Sequence, residues 1–352
     1  MGLNFSPPSI SVIVPFLNAR ETIIGCLESL LTQSYEGSIE IILVDNNSND
    51  GSLEEVERYL DEKNIKSVKV IPRFSKKGVA AARNAGLKEA NGKILAFTDA
   101  DCIADKKWIK DLVKGYTDNT IGAVAGGIKG YEPGNIVEKF SSIFTLKFLP
   151  NPGVFEKFTL LRGGFATANF SVHHSIIEKI GMFDENIKYW SDDYDLCARI
   201  YKSGYKINYV SDALIYHHHR SNLKGLWKQA FRYGGAHSVL LSRHFTKMFI
   251  LELPGFTFQN EHVPLKAWID FASLDKKITI GLVLSFFYPV FLFVLIAYLV
   301  YLIPYFYRKT KESNLRISFY ELLGFIFLMF LKSFSMTLGR AKSSFQEKVI
   351  CF

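Results

Sequence analysis

The sequence predicts an α/β fold: a mixed, mostly parallel sheet covered on both faces by helices, followed by one or two C-terminal membrane helices. Three observations carry that expectation. Over residues 9–101, short β-rich apolar runs alternate with segments of helical periodicity, the pattern of parallel strands joined by crossover helices. Asp99 and Asp101 close the fourth of those runs. Residues 278–307 contain no charged residue, and at about 1.5 Å per residue such a stretch is long enough to cross a hydrocarbon core.

Each element follows from its residues. Residues 9–16 form the first expected strand. Asn18 follows, with Glu21 three places on, the spacing of a capping box. Ile23, Leu27, Leu30 and Leu31 then recur at helical spacing. Residues 39–44 read as a second strand ending at Asp45. Ser52 and Glu55 open a helix that aligns Leu53, Val56, Tyr59 and Leu60 on one face. A short strand over 68–71, an Ala-rich helix over 78–90 and a strand over 94–98 complete the regular part. Beyond it the alternation weakens. Strands are expected over 123–129, 206–210 and 213–216, and helices over 136–148, 192–203 and 223–245. Gly204 stops the second of these helices, and the third is long, basic and aromatic. Residues 248–258 are apolar and aromatic and are expected on a membrane surface. The 278–307 stretch is expected as one transmembrane helix, kinked at Pro289 and Pro304. Lys276 and Lys277 flank one end and Arg308, Lys309 and Lys311 the other, so the positive-inside rule leaves its direction open. Residues 317–338, interrupted by Glu321 and Lys332, read as a second span or an interfacial helix.

Composition bounds the function. The 352 residues are 48% hydrophobic and 22% charged, which excludes a disordered or collagen-like chain. The four cysteines, at 26, 102, 197 and 351, form no C-x-x-C pair. That excludes a zinc knuckle or thioredoxin-type site and fits a reducing compartment. A net charge of +8 suits an anionic partner such as a phosphate or an anionic lipid. No RNA-recognition, KH or helix-turn-helix signature is present, so nucleic acid is not an expected partner. Neither G-x-G-x-x-G nor G-x-x-x-x-G-K-[ST] occurs, which argues against a dinucleotide-binding dehydrogenase and a P-loop NTPase. Residues 10–16 are too few for a signal-peptide core, so the globular part is expected on the cytoplasmic side of the cell membrane.

Two strand ends carry chemistry. Asp99 and Asp101, two apart in extended chain, point to the same side. Paired carboxylates suit Mg²⁺ or Mn²⁺, and such an ion can neutralise a diphosphate leaving group. Open α/β sheets bind ligands at the carboxyl ends of their strands; a solvated acidic turn is the plainer reading. Asp45 could accept hydrogen bonds from a base or ribose, or belong to a polar turn with Asp50-Gly51.

The segments 11–18, 26–31, 45–51, 77–86 and 97–101 together resemble the opening of a family 2 glycosyltransferase with the GT-A fold. Residues 163–171, 181–184, 192–196 and 204–207 continue the resemblance, which covers about 9–235. It implies a role for each matching residue. Pro15 and Asn18 would border the nucleotide-base pocket, and Asp45 would read the base or ribose. Arg83 would lie near the diphosphate. Asp99 would contact ribose and metal, and Asp101 would be the principal metal ligand. His217, of the run 217–219, would complete the metal site, and imidazole favours Mn²⁺ over Mg²⁺. Asp193 falls where the family places its catalytic base, while Asp192 stands in place of the usual Glu. Both aspartates also suit a helix N-terminus. Trp190 would stack on a sugar face or fill a core. Gln229, Arg232 and Tyr233 resemble a Q-x-x-R-W motif that binds the acceptor end or diphosphate, with Tyr in place of Trp. The same helix, with Lys224, Lys228 and Arg243, also suits an anionic lipid surface.

The resemblance thus implies a membrane-bound inverting transferase. It would move a sugar from a UDP- or GDP-sugar to an acceptor, with Mn²⁺ or Mg²⁺ on the diphosphate. A polyprenyl phosphate or lipid-linked saccharide is the expected acceptor, because tethering concentrates the enzyme on a membrane-bound substrate. A processive polysaccharide synthase and a non-catalytic nucleotide-sugar-binding scaffold are the alternatives. The expected organisation is a catalytic domain over 1–245, an interfacial linker over 246–277, the span over 278–307, and a basic loop, second apolar helix and tail over 308–352.

Overall fold

The computed structural model describes residues 7–72, 76, 78–145, 151–187, 189, 191–313 and 315–352. The chain divides into two compact units. The first holds Met1–Tyr131, Lys147–Asn186 and Asp192–His218; the second holds Glu132–Leu146, Ile187–Ser191 and His219–Phe352.

The first unit is built on β1 (Ile10–Phe16), α1 (Ile23–Leu31), β2 (Ile39–Asp45), α2 (Ser52–Glu62), β3 (Val68–Ile71), α3 (Val79–Glu89) and β4 (Ile94–Thr98). β5 (Cys102–Ala104), α4 (Trp108–Lys114) and β6 (Ile121–Gly130) follow. In the second unit the chain then forms α5 (Ile136–Phe144). It returns to the first unit for β7 (Gly153–Phe155), β8 (Asn169–His173), α6 (His174–Ile180), α7 (Asp192–Lys202) and β9 (Lys206–His217). The strands make one nine-stranded sheet in the order β3-β2-β1-β4-β8-β6-β9-β5, with β7 also on β9. β3, β2, β1 and β4 are mutually parallel, and β8 enters antiparallel between β4 and β6. β1 is buried at all seven positions, as expected of a parallel strand covered on both faces. Its Pro15 pairs with Val44 on the β2 side, while pairing with β4 stops at Ile13. The missing N–H of proline therefore interrupts no ladder on the β4 side. The core gathers Ile13, Phe97, Phe170, Leu196 and Tyr209 from five elements.

Three local expectations change here. The Asn18–Glu21 capping box does not form: α1 begins at Ile23, and Asn18 takes a left-handed φ of 52° and bonds the loop after β2 instead. The two strands expected over 206–210 and 213–216 are one strand, β9, whose register against β6 shifts between Gly126 and Gly127. A Cβ on Gly126 would come within 2.2 Å of the Ala213 carbonyl oxygen, so the irregularity needs glycine. β8, which the periodicity did not announce, separates the two parallel halves of the sheet.

The second unit contains α5, α8 (Leu223–His244), β10 (Met248–Leu253), β11 (Phe256–Asn260), β12 (Lys266–Asp270), α9 (Leu274–Phe287), α10 (Val290–Glu312), α11 (Phe319–Glu347) and β13 (Ile350–Cys351). Its sheet runs β11-β10-β12-β13. Residues 248–258 supply the β10–β11 hairpin of that sheet, with Phe256 and Phe258 exposed. The 278–307 stretch is two helices. Tyr288, preceding Pro289, is extended at φ −137° and ψ 99°, because proline disfavours helical geometry in its predecessor. Pro304, by contrast, lies inside α10. α10 and α11 are long and apolar enough to cross a membrane by length and composition. Ser318 and Glu321 start α11 with a reciprocal capping box. α8 and α11 approach closely: a Cβ on Gly339 would meet the Phe231 carbonyl oxygen at 2.0 Å, and one on Gly234 the Met336 oxygen at 2.0 Å.

Candidate active site

The carboxyl ends of β1, β2 and β4 carry the candidate residues, and hydrogen bonds between their loops hold them there. Asn18 N–H donates to Ser48 Oγ at 3.0 Å, and Asn49 N–H donates to Asn18 Oδ1 at 2.9 Å. Ala19 N–H reaches Ser52 Oγ at 2.8 Å. Asp45 is fully buried at the end of β2 and accepts from Ser48 N–H at 2.9 Å. Its neighbour Asn46 links a third segment: its amide donates to the Lys76 carbonyl at 2.8 Å and its Oδ1 accepts from Gly78 N–H at 3.1 Å. The segment before α3 is therefore fixed to the β2 loop. Asn46 lies in the polar run after Asp45, but nothing in that run singled it out.

Arg83 connects the two halves of the site. It projects from α3 and is 5% exposed. One guanidinium nitrogen donates to Asp99 at 3.0 Å and the other to Asp192, at the start of α7, at 2.9 Å. Burial works against its charge, but Asp99, Asp192 and Asp193 outweigh burial and raise its pKa. Its guanidinium also lies 5.6 Å from the centroid of Phe183, and Asn84 holds Phe183 through both backbone groups, at 2.9 Å each. Phe183 falls within a segment the sequence had matched, without a role for the ring.

Asp193 follows Asp192 on the first turn of α7 and accepts from Tyr194 N–H at 2.8 Å. Its side chain keeps some exposure, yet protein surrounds it. That desolvation, reinforced by Asp192 and opposed by Arg83, pushes its pKa up to about 8. A carboxyl titrating near neutral pH is tuned for proton transfer.

On the other side of the β4 end, His217 Nε2 is 3.4 Å from Asp101 Oδ1. His218 N–H donates to the Asp101 carbonyl at 2.8 Å, and the His218 ring packs on Tyr131 at 4.4 Å. Asp101, Cys102 and His217 offer ligand atoms within 4.8 Å of one another. Cys102 is buried, and burial first, then Asp101 and Asp99, raise its thiol pKa well above the ordinary value.

Comparison with known proteins fits this geometry. Residues 11–181 match the family model "Glycosyl transferase family 2". The chain carries a glycosyltransferase family 2 domain. It is 26% identical over 352 residues to the probable glycosyltransferase YdaM of Bacillus subtilis, covering 97% of this chain and 76% of that protein. It is 27% identical over 230 residues to the glycosyltransferase AglE of Haloferax volcanii, covering 64% and 72%. A mannosyltransferase from Pyrobaculum calidifontis, solved with GDP-Man and Mn²⁺, shares the fold with a TM-score of 0.52 and 22% identity, over 67% of this chain and 64% of that one. The protein is a glycosyltransferase of the GT-A fold.

In this glycosyltransferase the group near Asp101 offers a carboxylate, an imidazole and a buried thiol within reach of one divalent cation. Asp99 accepts Arg83 at its Oδ1 and lies outside the three-residue group. Cys102 enters that group unannounced, although its adjacency to Asp101 was visible. The first unit brings together Pro15, Asn18 and Asp45 at one strand edge, and Arg83, Asp99, Asp192 and Asp193 in one charged cluster. Gln229 and Arg232 lie on α8 in the second unit. Gln229 is buried and donates to the Tyr233 hydroxyl at 3.3 Å. Arg232 is exposed, with its pKa lowered by partial burial and by Arg220 nearby. Trp190 lies outside the described residues.

Proposed function

We propose that this glycosyltransferase moves a sugar from a UDP- or GDP-sugar to a membrane-held acceptor by a single displacement that inverts the anomeric centre. A polyprenyl phosphate or lipid-linked saccharide is the proposed acceptor. Asp193 is the proposed base. The reading rests chiefly on Arg83, whose two arms tie Asp99 at the end of β4 to Asp192 at the start of α7. That bridge fixes the proposed donor edge and the proposed base in one frame.

Each residue then has one task. Asp45, with Pro15 and Asn18 beside it, would orient the nucleoside. Arg83 would hold Asp99 and Asp192 and offset the negative charge beside the diphosphate. Asp193 would take the proton of an acceptor hydroxyl as that oxygen bonds the anomeric carbon and the nucleoside diphosphate departs from the opposite face. Asp101, with Asp99 and His217, would hold a divalent cation, Mn²⁺ or Mg²⁺, which when bound neutralises charge on the leaving diphosphate, and Asp99 would also contact the ribose. Trp190, Asp192, Gln229 and Arg232 are the proposed acceptor contacts. The apolar helices would keep the enzyme at the cell membrane, with the catalytic unit facing the cytoplasm.

The test is nucleotide release by detergent-purified protein with Mn²⁺, offered UDP- and GDP-sugars and a membrane lipid extract, with Asp193→Asn in parallel. Lipid-dependent release that collapses in the variant is expected. A ladder of products rather than one added sugar would favour processive synthesis. Unchanged release by Asp193→Asn would remove it as the base.

A further inference from the structure

We propose that α9 and α10 form a re-entrant hairpin that dips into one leaflet of the bilayer and leaves by the face it entered, so that residues 278–307 do not cross the membrane. The inference rests on the membrane attachment proposed above and concerns how that attachment is made. The two helices fold back at Tyr288–Pro289 and run antiparallel. Gly281 stands beside Leu295, to which its added Cβ would come within 3.3 Å, and Lys277 Nζ donates to the Tyr298 hydroxyl at 3.2 Å.

Apolar surface is bare at the bend and continues along one face of α10. Phe286 is 85% exposed and Phe293 70%, with Phe287, Tyr288, Val290, Val294, Val300 and Tyr301 each more than half exposed. Among the described residues of the second unit no partner covers this face, and so many large apolar side chains seldom stay in water. Farther along, the same helix turns into protein core. Leu302 and Phe306 of α10 are buried with Phe325 of α11, Phe140 of α5 and Leu226 of α8. α8 carries Lys224, Lys228, Arg232 and Arg243 and has no lipid-spanning composition. One face of the distal half of α10 therefore belongs to a protein core shared with charged helices, while Tyr305 and Tyr307 on the other stay exposed. The part in which the two helices lie side by side, from Lys277 and Tyr298 to the bend, measures only about 16 Å, against a hydrocarbon core of roughly 30 Å.

Both flanks of the stretch are polar and tied to that same body. At the start of α9, Asp275 N–H donates to Ser333 Oγ at 3.1 Å. Past α10, Lys139 of α5 pairs with Glu321 at 2.7 Å. Arg308, Lys309 and Lys311 follow the apolar run and Lys277 precedes it. Lys277, abreast of Tyr298, stands at the base of the hairpin, where a cation matches an anionic headgroup layer; the other three lie about 15–20 Å farther along α10. α11 likewise leaves its apolar half for a polar one: Arg340 bonds Asp270 at 2.7 Å, and β13 after it joins β12.

Cysteine accessibility tests this on the full chain in right-side-out and inverted membrane vesicles. The four native cysteines are all buried, so single reporters can be read with a membrane-impermeant maleimide. Phe271→Cys lies before α9, Tyr288→Cys at the bend and Lys311→Cys near the end of α10. Nucleotide release in detergent checks each variant's fold. The hairpin predicts that the 271 and 311 reporters react from the same face, and that labelling at 288 is lost on both faces until detergent is added. Reaction of 271 and 311 from opposite faces, or of 288 from the far face, overturns it while leaving membrane attachment intact. Wild-type protein that stays out of the membrane pellet, with Tyr288→Cys protein crosslinking to a second copy, overturns both and assigns the apolar face to self-association.

Discussion

Arg83 in the catalytic unit and Arg340 in the second unit are each 5% exposed, and each bonds a carboxylate within 3.0 Å. Their surroundings differ in one respect. Arg340 meets Asp270, while its Nε donates to His237 Nδ1 at 3.0 Å and its guanidinium stacks 4.8 Å from Trp268. Burial and Arg340 hold His237 well below its ordinary pKa, so it stays neutral. Charge there balances one for one, and burial's upward push on Asp270 is overcome by Arg340, which leaves its pKa lowered. Arg83 instead faces Asp99, Asp192 and Asp193. Carboxylates outnumber the cation, and burial, with Asp192 adding to it, raises the pKa of Asp193. A balanced buried pair makes scaffold; an unbalanced one leaves negative charge for a proton or a metal ion.

The largest expected effect is on turnover. Asp193→Asn should lower the rate by about 10²–10⁴-fold, the usual worth of a positioned base, with circular dichroism unchanged; a smaller loss would put the surplus charge to another use. Next comes the pair of arginines. Arg340→Met should leave Asp270 buried and unpaired at a cost of about 3–5 kcal/mol in urea unfolding, with residual folded protein still active. Arg83→Met should abolish activity at a comparable stability cost, because it strands the buried Asp192 as Arg340→Met strands Asp270. Activity therefore separates the two, and an active Arg83→Met would erase the distinction.

pH separates the two clusters by sign. Asp193's folded pKa lies above its ordinary 3.8, so its protonation favours the folded state and that contribution is lost as pH rises from about 4 through about 8. Asp270's lies below 3.8, so its contribution is present above that value and lost as pH falls through the lower folded one. Thermal melts of Asp193→Asn should therefore lose the decline toward alkaline pH, and those of Asp270→Asn the decline in acid. kcat/KM should rise with pH through about 8 in the wild type. Asp192→Asn removes a like charge and should move that limb to lower pH; a limb that does not move would detach Asp193 from the cluster. Packing should give a smaller effect. Gly339→Ala forces a Cβ against the Phe231 carbonyl and should cost about 1–3 kcal/mol in the same unfolding assay.

Much of the first unit was legible because its signals are local. Consecutive apolar residues announced β1, β2 and β4, and helical spacing announced α1 and α2, to within a residue or two. β8 was not legible: an antiparallel strand inserted between β4 and β6 is fixed by partners 40 to 80 residues distant, not by its own five residues. Asn18 shows the same limit. Its spacing to Glu21 fits a cap, but the loop after β2 offers Ser48 and Asn49, and those bonds took the residue into left-handed geometry.

By itself the sequence determined which residues carry charge at the strand ends, where apolar runs begin and stop, and that Pro289 must interrupt one of them. Those follow from side-chain chemistry and neighbouring backbone sterics. Only the tertiary structure decided that Arg83 reaches Asp192 across 109 residues of chain, that Asp99 turns toward the same arginine, and that Cys102 stands beside Asp101 and His217. It also decided that one face of α10, through Leu295, Leu302 and Phe306, is protein core while the other is bare. A hydrophobic residue reads alike in both settings; only the atoms that cover it tell core from membrane face.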